Sequence, residues 1–347
     1  MIPPRVWVRG AGMKRRTFVA GSAALLTMPG IVRAQTTKPT KRLAMIRPAG
    51  PVSVMTPNGY PPYYKAFFEE LARQGYVEGQ NLIIFRFSAE GHEDRYGAVL
   101  QQAIDKVPDV IWCANAAAIF GMIGNKTTMT IPIVAFSSDP IAEGLTTSLA
   151  RPSSNITGVA IAGFEIWGKR LSILKEAIAN LKHLRVLSKE YWWNGPTGQT
   201  LRQAAEQLDL SLAPALLKAD VGVDSYAPIF EQIKASGADG LLVDDYLDNL
   251  MHRAIITSLA AQHRLPAMYP YREFIVDGGL LAYAINLSEA LRIAAGQIAS
   301  IFGGARPVEI PFVQPTRYQL IANVKAAQAI GLTLPAPLLL RADEVID

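Results

Sequence analysis

With 347 residues, half of them hydrophobic and 18% charged, the chain is long enough for two domains and has ample material for packed cores. The formal net charge of +5 looks like an invitation to nucleic acid, but six basic residues (Arg5, Arg9, Lys14, Arg15, Arg16 and Arg33) fall within residues 1–34, which hold no acid. The remainder carries 28 basic and 29 acidic residues, without the excess that phosphate backbones select, so no nucleic-acid partner is expected. A single cysteine, Cys113, excludes an intrachain disulfide and a cysteine-based zinc site; it is expected at a strand end as a small buried hydrophobe.

The N-terminus reads as an address. From Met13, a candidate start, a basic cluster is followed by a short apolar stretch and then by small residues up to Ala34, the order of a secretory signal peptide over residues 1–34. The apolar run is too short for a bilayer, which needs about 20 residues. Arg15-Arg16-Thr17-Phe18 resembles the twin-arginine export signal, which predicts a periplasmic protein.

After a polar linker, Leu43 to Ile46 is a short apolar strand, and Phe67, Phe68 and Leu71 give residues 63–74 helical spacing, stopped by Gly75. Residues 81–87 read as a strand, 94–106 as a helix, 109–114 as a buried strand, Asn115 onward as a helix and 131–136 as a fourth strand. Residues 155–159 bridge to a helix over 165–179, and the pattern restarts: strands near 184–187, 212–217, 240–244, 266–269 and 278–284, with helices at 199–207, 225–236, 249–263 and 287–302 between and after them, then an extended C-terminal segment. Continuous apolar strands separated by helices predict an α/β fold of two doubly wound, parallel-sheet lobes joined by a multi-strand hinge: lobe one over 42–158, lobe two over 159–277, and a return to lobe one with hinge and tail over 278–347.

Several stretches carry a family resemblance: Gln74-Gly75-Tyr76-Val77-Glu78-Gly79-Gln80-Asn81-Leu82, Ala89-Glu90-Gly91, the run from Ser148 through Arg151-Pro152 to Gly158, Gly168-Lys169-Arg170-Leu171, Gln262-His263-Arg264-Leu265-Pro266-Ala267, Gly278-Gly279-Leu280 and the tail from Leu339 to Ile346. Over nearly all of residues 42–347 the chain resembles a family of ABC-transporter solute-binding proteins, similar to the type I periplasmic binding proteins. The resemblance implies a hinged, two-lobed receptor that delivers a solute to a membrane permease, and its better understood branch is associated with tryptophan and related aromatic amino acids. One segment departs from it. Where the family usually has a loop of small polar residues after the first strand of lobe two, this chain has Ser188-Lys189-Glu190-Tyr191-Trp192-Trp193-Asn194-Gly195-Pro196.

Enzyme signatures are scarce, and neither catalysis nor a cofactor is expected. Gly121 to Thr127 has the wrong spacing for a phosphate loop, no nucleophile elbow occurs, and Asp248 with His252 reads as a solvated helix face. In open α/β sheets ligands bind beyond the carboxyl ends of strands. The candidate ligand residues are therefore Arg47 after the first strand, Asn115 and Ala116 after the third, and Ser137, Ser138 and Asp139 after the fourth. The Ser137-Ser138 turn is expected to take a carboxylate, with capping of the next helix by Ser138 or Asp139 as the alternative. From lobe two come Tyr191, Trp192 and Trp193, Asp244, Asp245 and Tyr246, and Tyr269, Tyr271 and Arg272. At most one of the adjacent aspartates faces the cleft, because neighbouring strand residues point oppositely. Arg272 either holds an acid or makes a surface salt bridge. The expected ligand is an aromatic or bulky apolar carboxylate or amino acid, bound by a monomer through lobe closure; an enzyme on the same scaffold and a sensor for a membrane kinase are the alternatives.

Overall fold

The structure, a computed structural model, describes residues 38–115, 130–161, 164–218 and 221–347. The leader in residues 1–34, the site residue Ala116, the helix after Asn115 and the stretch 121–127 lie outside them. The first sheet holds β1 (Lys41–Arg47), β2 (Leu82–Ser88), β3 (Val110–Cys113), β4 (Ile133–Ser137) and β5 (Ile156–Ala160), in the order β2-β1-β3-β4-β5 and parallel throughout. β3, β4 and β5 are buried at every position, as strands covered on both faces must be. Beneath the strand ends, Trp112 of β3 meets Phe136 of β4 edge to face at 4.7 Å.

The helix Tyr64–Arg73 buries Phe67 and Leu71 and leaves Lys65, Glu69 and Arg73 to solvent. It ends because Gly75, at φ +82°, takes the left-handed conformation just past the helix end that a side chain would resist. Against it packs the helix Leu287–Phe302, whose N-cap Asn286 accepts from the Glu289 amide at 3.0 Å.

The second sheet comprises β6 (His183–Lys189), β7 (Ser211–Leu217), β8 (Gly240–Val243), β9 (Ala267–Tyr269), β10 (Leu281–Ile285), β11 (Tyr318–Asn323) and β12 (Glu344–Ile346), in the order β12-β11-β10-β9-β8-β6-β7. Only the β10–β11 pair is antiparallel. The chain passes between the sheets three times: after β5, after β10, and between residue 313, which pairs with β5, and β11. That route explains the antiparallel pair. Strand β10 runs toward the other sheet and leaves into the helix Leu287–Phe302, so the returning chain enters β11 from that end and runs back.

Residues 278–347 are thus divided, with the helix Leu287–Phe302 on the first sheet and three strands on the second. The C-terminal segment, extended by sequence, holds β11, the helices Val324–Ala329 and Ala336–Arg341, and β12. The helix over 249–263 is two helices, Leu247–Met251 and Arg253–Gln262, broken at His252. The aromatic segment is a short helix, Glu190–Asn194, followed at Pro196 by the helix Pro196–Gln207. Cys113 is buried at the end of β3, and its thiol donates to the Asn115 carbonyl at 3.1 Å. Among the described residues no helix is long and apolar enough to cross a membrane.

Candidate functional site between the two sheets

The carboxyl ends of β1, β3 and β4 face those of β8 and β9, and a chamber lies between them. Its free space, open mouth included, is about 610 Å³. Tyr63, Phe136, Leu250, Leu287 and Leu291 make its walls apolar. Into it comes Arg47, the last residue of β1, which is 1% exposed. Its Nη2 lies 3.1 Å from the Met251 sulfur, while Nε and Nη1 have no hydrogen-bond partner. A guanidinium buried in this way is costly until an anion meets it. The Tyr63 hydroxyl is also buried, and desolvation, opposed by the neighbouring Arg47 guanidinium, pushes its pKa up to about 12.

Opposite Arg47 in character are two carboxylates. Asp245 follows β8; its Oδ2 accepts from the Ser138 hydroxyl at 2.9 Å and its Oδ1 from the Trp192 indole at 3.0 Å. The Tyr271 hydroxyl donates to the Asp245 carbonyl at 3.0 Å. The second carboxylate, Glu143, has no motif to announce it. Sequence alone sends a ligand carboxylate to the Ser137-Ser138 turn; Glu143 occupies those donors instead. It accepts from the Ser137 hydroxyl at 2.6 Å and from the Ser138 and Asp139 amides at 3.1 and 3.3 Å. Burial, opposed by these hydrogen bonds and aided by the Asp245 charge, lifts the Glu143 pKa to about 7.

Of the two adjacent aspartates, only Asp245 lines the chamber. Asp244 turns into lobe two, where its Oδ1 accepts from the Tyr246 amide at 3.0 Å and from Asn249 at 2.7 Å. Burial and then the Asp245 charge raise its pKa to about 8. Arg170, from the family-like Gly168-Lys169-Arg170-Leu171, lies behind the site. It donates to the Tyr283 and Pro270 carbonyls at 3.0 and 3.1 Å, covers the Trp167 ring, and has its pKa lowered by burial to about 10 against the pull of Asp245.

A second chamber adjoins the first, with about 840 Å³ of free space including its mouth. Asn115, Ser138, Glu143 and Asp245 line both, so they form the partition. Tyr191, Trp192, Pro196 and Tyr246 line only the second. Trp192 is 7% exposed and packs edge-on to Trp167 at 4.9 Å.

Besides Asp244, four sequence candidates lie away from both chambers. Trp193 lies under the Arg202 guanidinium at 4.7 Å, on the helix that follows it. Tyr269 is core, its ring stacked on Phe274 at 4.9 Å because it belongs to β9 itself. Arg272 is bidentate with Glu344 at 2.7 and 2.6 Å, the surface pair. Asp139 accepts from the Ile141 and Ala142 amides at 3.0 and 2.9 Å, which holds a turn; no helix directly follows β4 for it to cap. Nor is Asp248 solvated: it is 1% exposed, 4.0 Å from Lys189, with its pKa raised by burial to about 6.

The two halves meet along a polar seam beside the chambers. Lys189, at the end of β6, reaches Glu93 of the first half at 2.9 Å; Tyr96 and Tyr246 share a hydrogen bond at 2.5 Å; Ser138 meets Asp245.

A family described as ABC transporter substrate binding protein matches residues 54–346. The chain belongs to that family. A solved domain from Vibrio cholerae is similar over 88% of this chain and 99% of its own, with a TM-score of 0.77 at 19% identity. An ABC domain from Streptococcus pneumonia, solved in complex with L-Trp, has a TM-score of 0.75 at 20% identity over 88% of this chain and all of its own. A tyrosine-binding protein of Clostridioides difficile is 21% identical over 274 residues, 77% of this chain and 76% of that protein. The fold of this substrate-binding protein is accordingly type I periplasmic binding protein-like.

Proposed function

We propose that this substrate-binding protein is exported to the periplasm, binds an amino acid with an aromatic or bulky apolar side chain by closing its two lobes, and hands it unchanged to a membrane permease. The observation that carries the reading is Arg47, a buried guanidinium with two unpartnered nitrogens, lining an apolar chamber together with Asp245 and Glu143. The ligand carboxylate pairs with Arg47, the side chain fills the space among Phe136, Leu250, Leu287 and Leu291, and the α-amine faces the carboxylates. The tryptophan and tyrosine named for two similar proteins point the same way.

Intrinsic fluorescence tests this directly. Trp112 touches Phe136 and donates to the Tyr64 hydroxyl at 3.4 Å, and both partners line the chamber. L-Trp, L-Tyr, L-Phe and L-Leu are to be compared with their amides, a pentose and inorganic phosphate by fluorescence (the non-absorbing ligands) and by melting temperature. Free acids with bulky side chains are expected to bind and to raise the melting temperature. Tighter binding of the pentose or phosphate, or release of a chemically altered ligand, refutes the reading.

A further inference from the structure

We propose that the outer chamber is a second subsite for the N-substituent of the ligand, so that the preferred solute is an N-acylated or peptidyl amino acid rather than a free one. The proposal rests on the inner-chamber reading above.

The order of lining residues sets the geometry. Arg47 lines the inner chamber alone; Glu143, Asp245, Ser138 and Asn115 line both; Tyr191, Trp192 and Pro196 line the outer chamber alone. A carboxylate on Arg47 with the side chain among the leucines turns the α-nitrogen toward the shared partition. A bond leaving that nitrogen then leads into the outer chamber, the larger of the two at about 840 against 610 Å³.

The partition can accept an amide N–H as well as an ammonium group. Glu143 already accepts three hydrogen bonds, two of them on Oε1, and each Asp245 oxygen accepts one. About three lone pairs remain, one on Glu143 and two on Asp245, and a single amide N–H needs only one of them. The outer wall contributed by Trp192, Pro196 and Ala142 suits an acyl chain or a residue side chain. It is built partly by the aromatic segment at which this chain departs from its family resemblance.

Calorimetry on the mature chain tests the idea. L-Phe, L-Tyr, L-Trp and L-Leu are titrated first; the tightest is then compared with its N-acetyl and N-leucyl derivatives. At least one N-extended form is expected to bind tenfold or more tighter than its parent. Ala142→Phe, filling the outer chamber from the first half, is expected to abolish that gain and leave the parent's affinity within twofold; Thr197→Trp, filling it from the second half, serves if Ala142→Phe does not fold. If the parent binds and every N-extended form binds equally or more weakly, the second subsite is refuted and the free amino acid reading stands. A gain that survives filling of the chamber also refutes it. If neither parents nor derivatives bind, both readings fall.

Discussion

At the scale of single residues the site is a set of buried charges held in unequal states. Arg47 is the most exposed to a test, because the same feature that suits it to a ligand makes it costly without one. Arg47→Met is expected to remove a charge-assisted pair and weaken binding of the tightest amino acid by about 1.5–3 kcal/mol, while raising the melting temperature of the ligand-free protein. A variant that loses affinity and stability together contradicts the assignment. Glu143 makes the complementary prediction in pH. Its carboxyl goes from 4.5, the ordinary value, to about 7 in the folded state. Between those values the native protein holds a proton that the unfolded chain releases, so this group costs stability progressively as pH rises through the window, on the order of 3 kcal/mol once pH exceeds 7. Denaturant titrations should therefore find Glu143→Gln gaining on wild type between pH 4.5 and 7.5. A difference independent of pH contradicts the raised pKa. Asp244 and Asp248, raised to about 8 and 6, add slopes of the same sign to both proteins and cancel in the comparison.

At the scale of elements the short helix Glu190–Asn194 deserves its own test, since its two tryptophans do different work. Trp192 holds Asp245 through its indole and backs onto Trp167; Trp193 packs outward under Arg202. Trp192→Phe keeps most of the ring but leaves Asp245 Oδ1 without its donor, an expected loss of about 1–3 kcal/mol in stability with weaker binding. Trp193→Phe is expected to leave ligand affinity unchanged within twofold. Equal effects on binding would mean that the helix sits differently against the chambers. The segment shows why elements were only partly legible. Three adjacent aromatics after a strand signal something at the cleft, but 3.6-residue periodicity turns consecutive side chains to different faces, and five residues are too few to tell which.

At the scale of the whole molecule the polar seam is expected to govern the proposed closure. Lys189 of the second half is 2% exposed and spans to Glu93 of the first, with Asp248 at 4.0 Å behind it. Lys189→Met leaves Asp248 buried without its cation and Glu93 without its tie. The closed arrangement is then a smaller fraction of the free protein, and apparent affinity falls by that fraction. The expected result is an apparent Kd weaker by about tenfold, a larger radius of gyration for the free protein by small-angle scattering, and recovery of the wild-type radius at saturating ligand. An unchanged radius together with unchanged affinity would show that the seam does not control closure.

By itself the sequence determined the local grammar: apolar runs became β1, β3, β4, β6 and β8, the helix at 287–302 matched at both ends, and family-like motifs placed the chain among substrate-binding proteins. Strand ends also marked Arg47, Ser138 and Asp245 as candidates, because a parallel sheet presents its carboxyl ends to the cleft. Only the tertiary structure decided which charge met which. Glu143 lies in a turn with no motif, yet it fills the donors that sequence reserved for a ligand; Arg47, one candidate among many, is buried with Nε and Nη1 unpartnered; Asp248 is buried beside a lysine 59 positions away. The reason is physical. Periodicity records which face of an element is apolar, a local property, whereas the partner of a buried charge is fixed by two sheets brought together through three crossings of the chain.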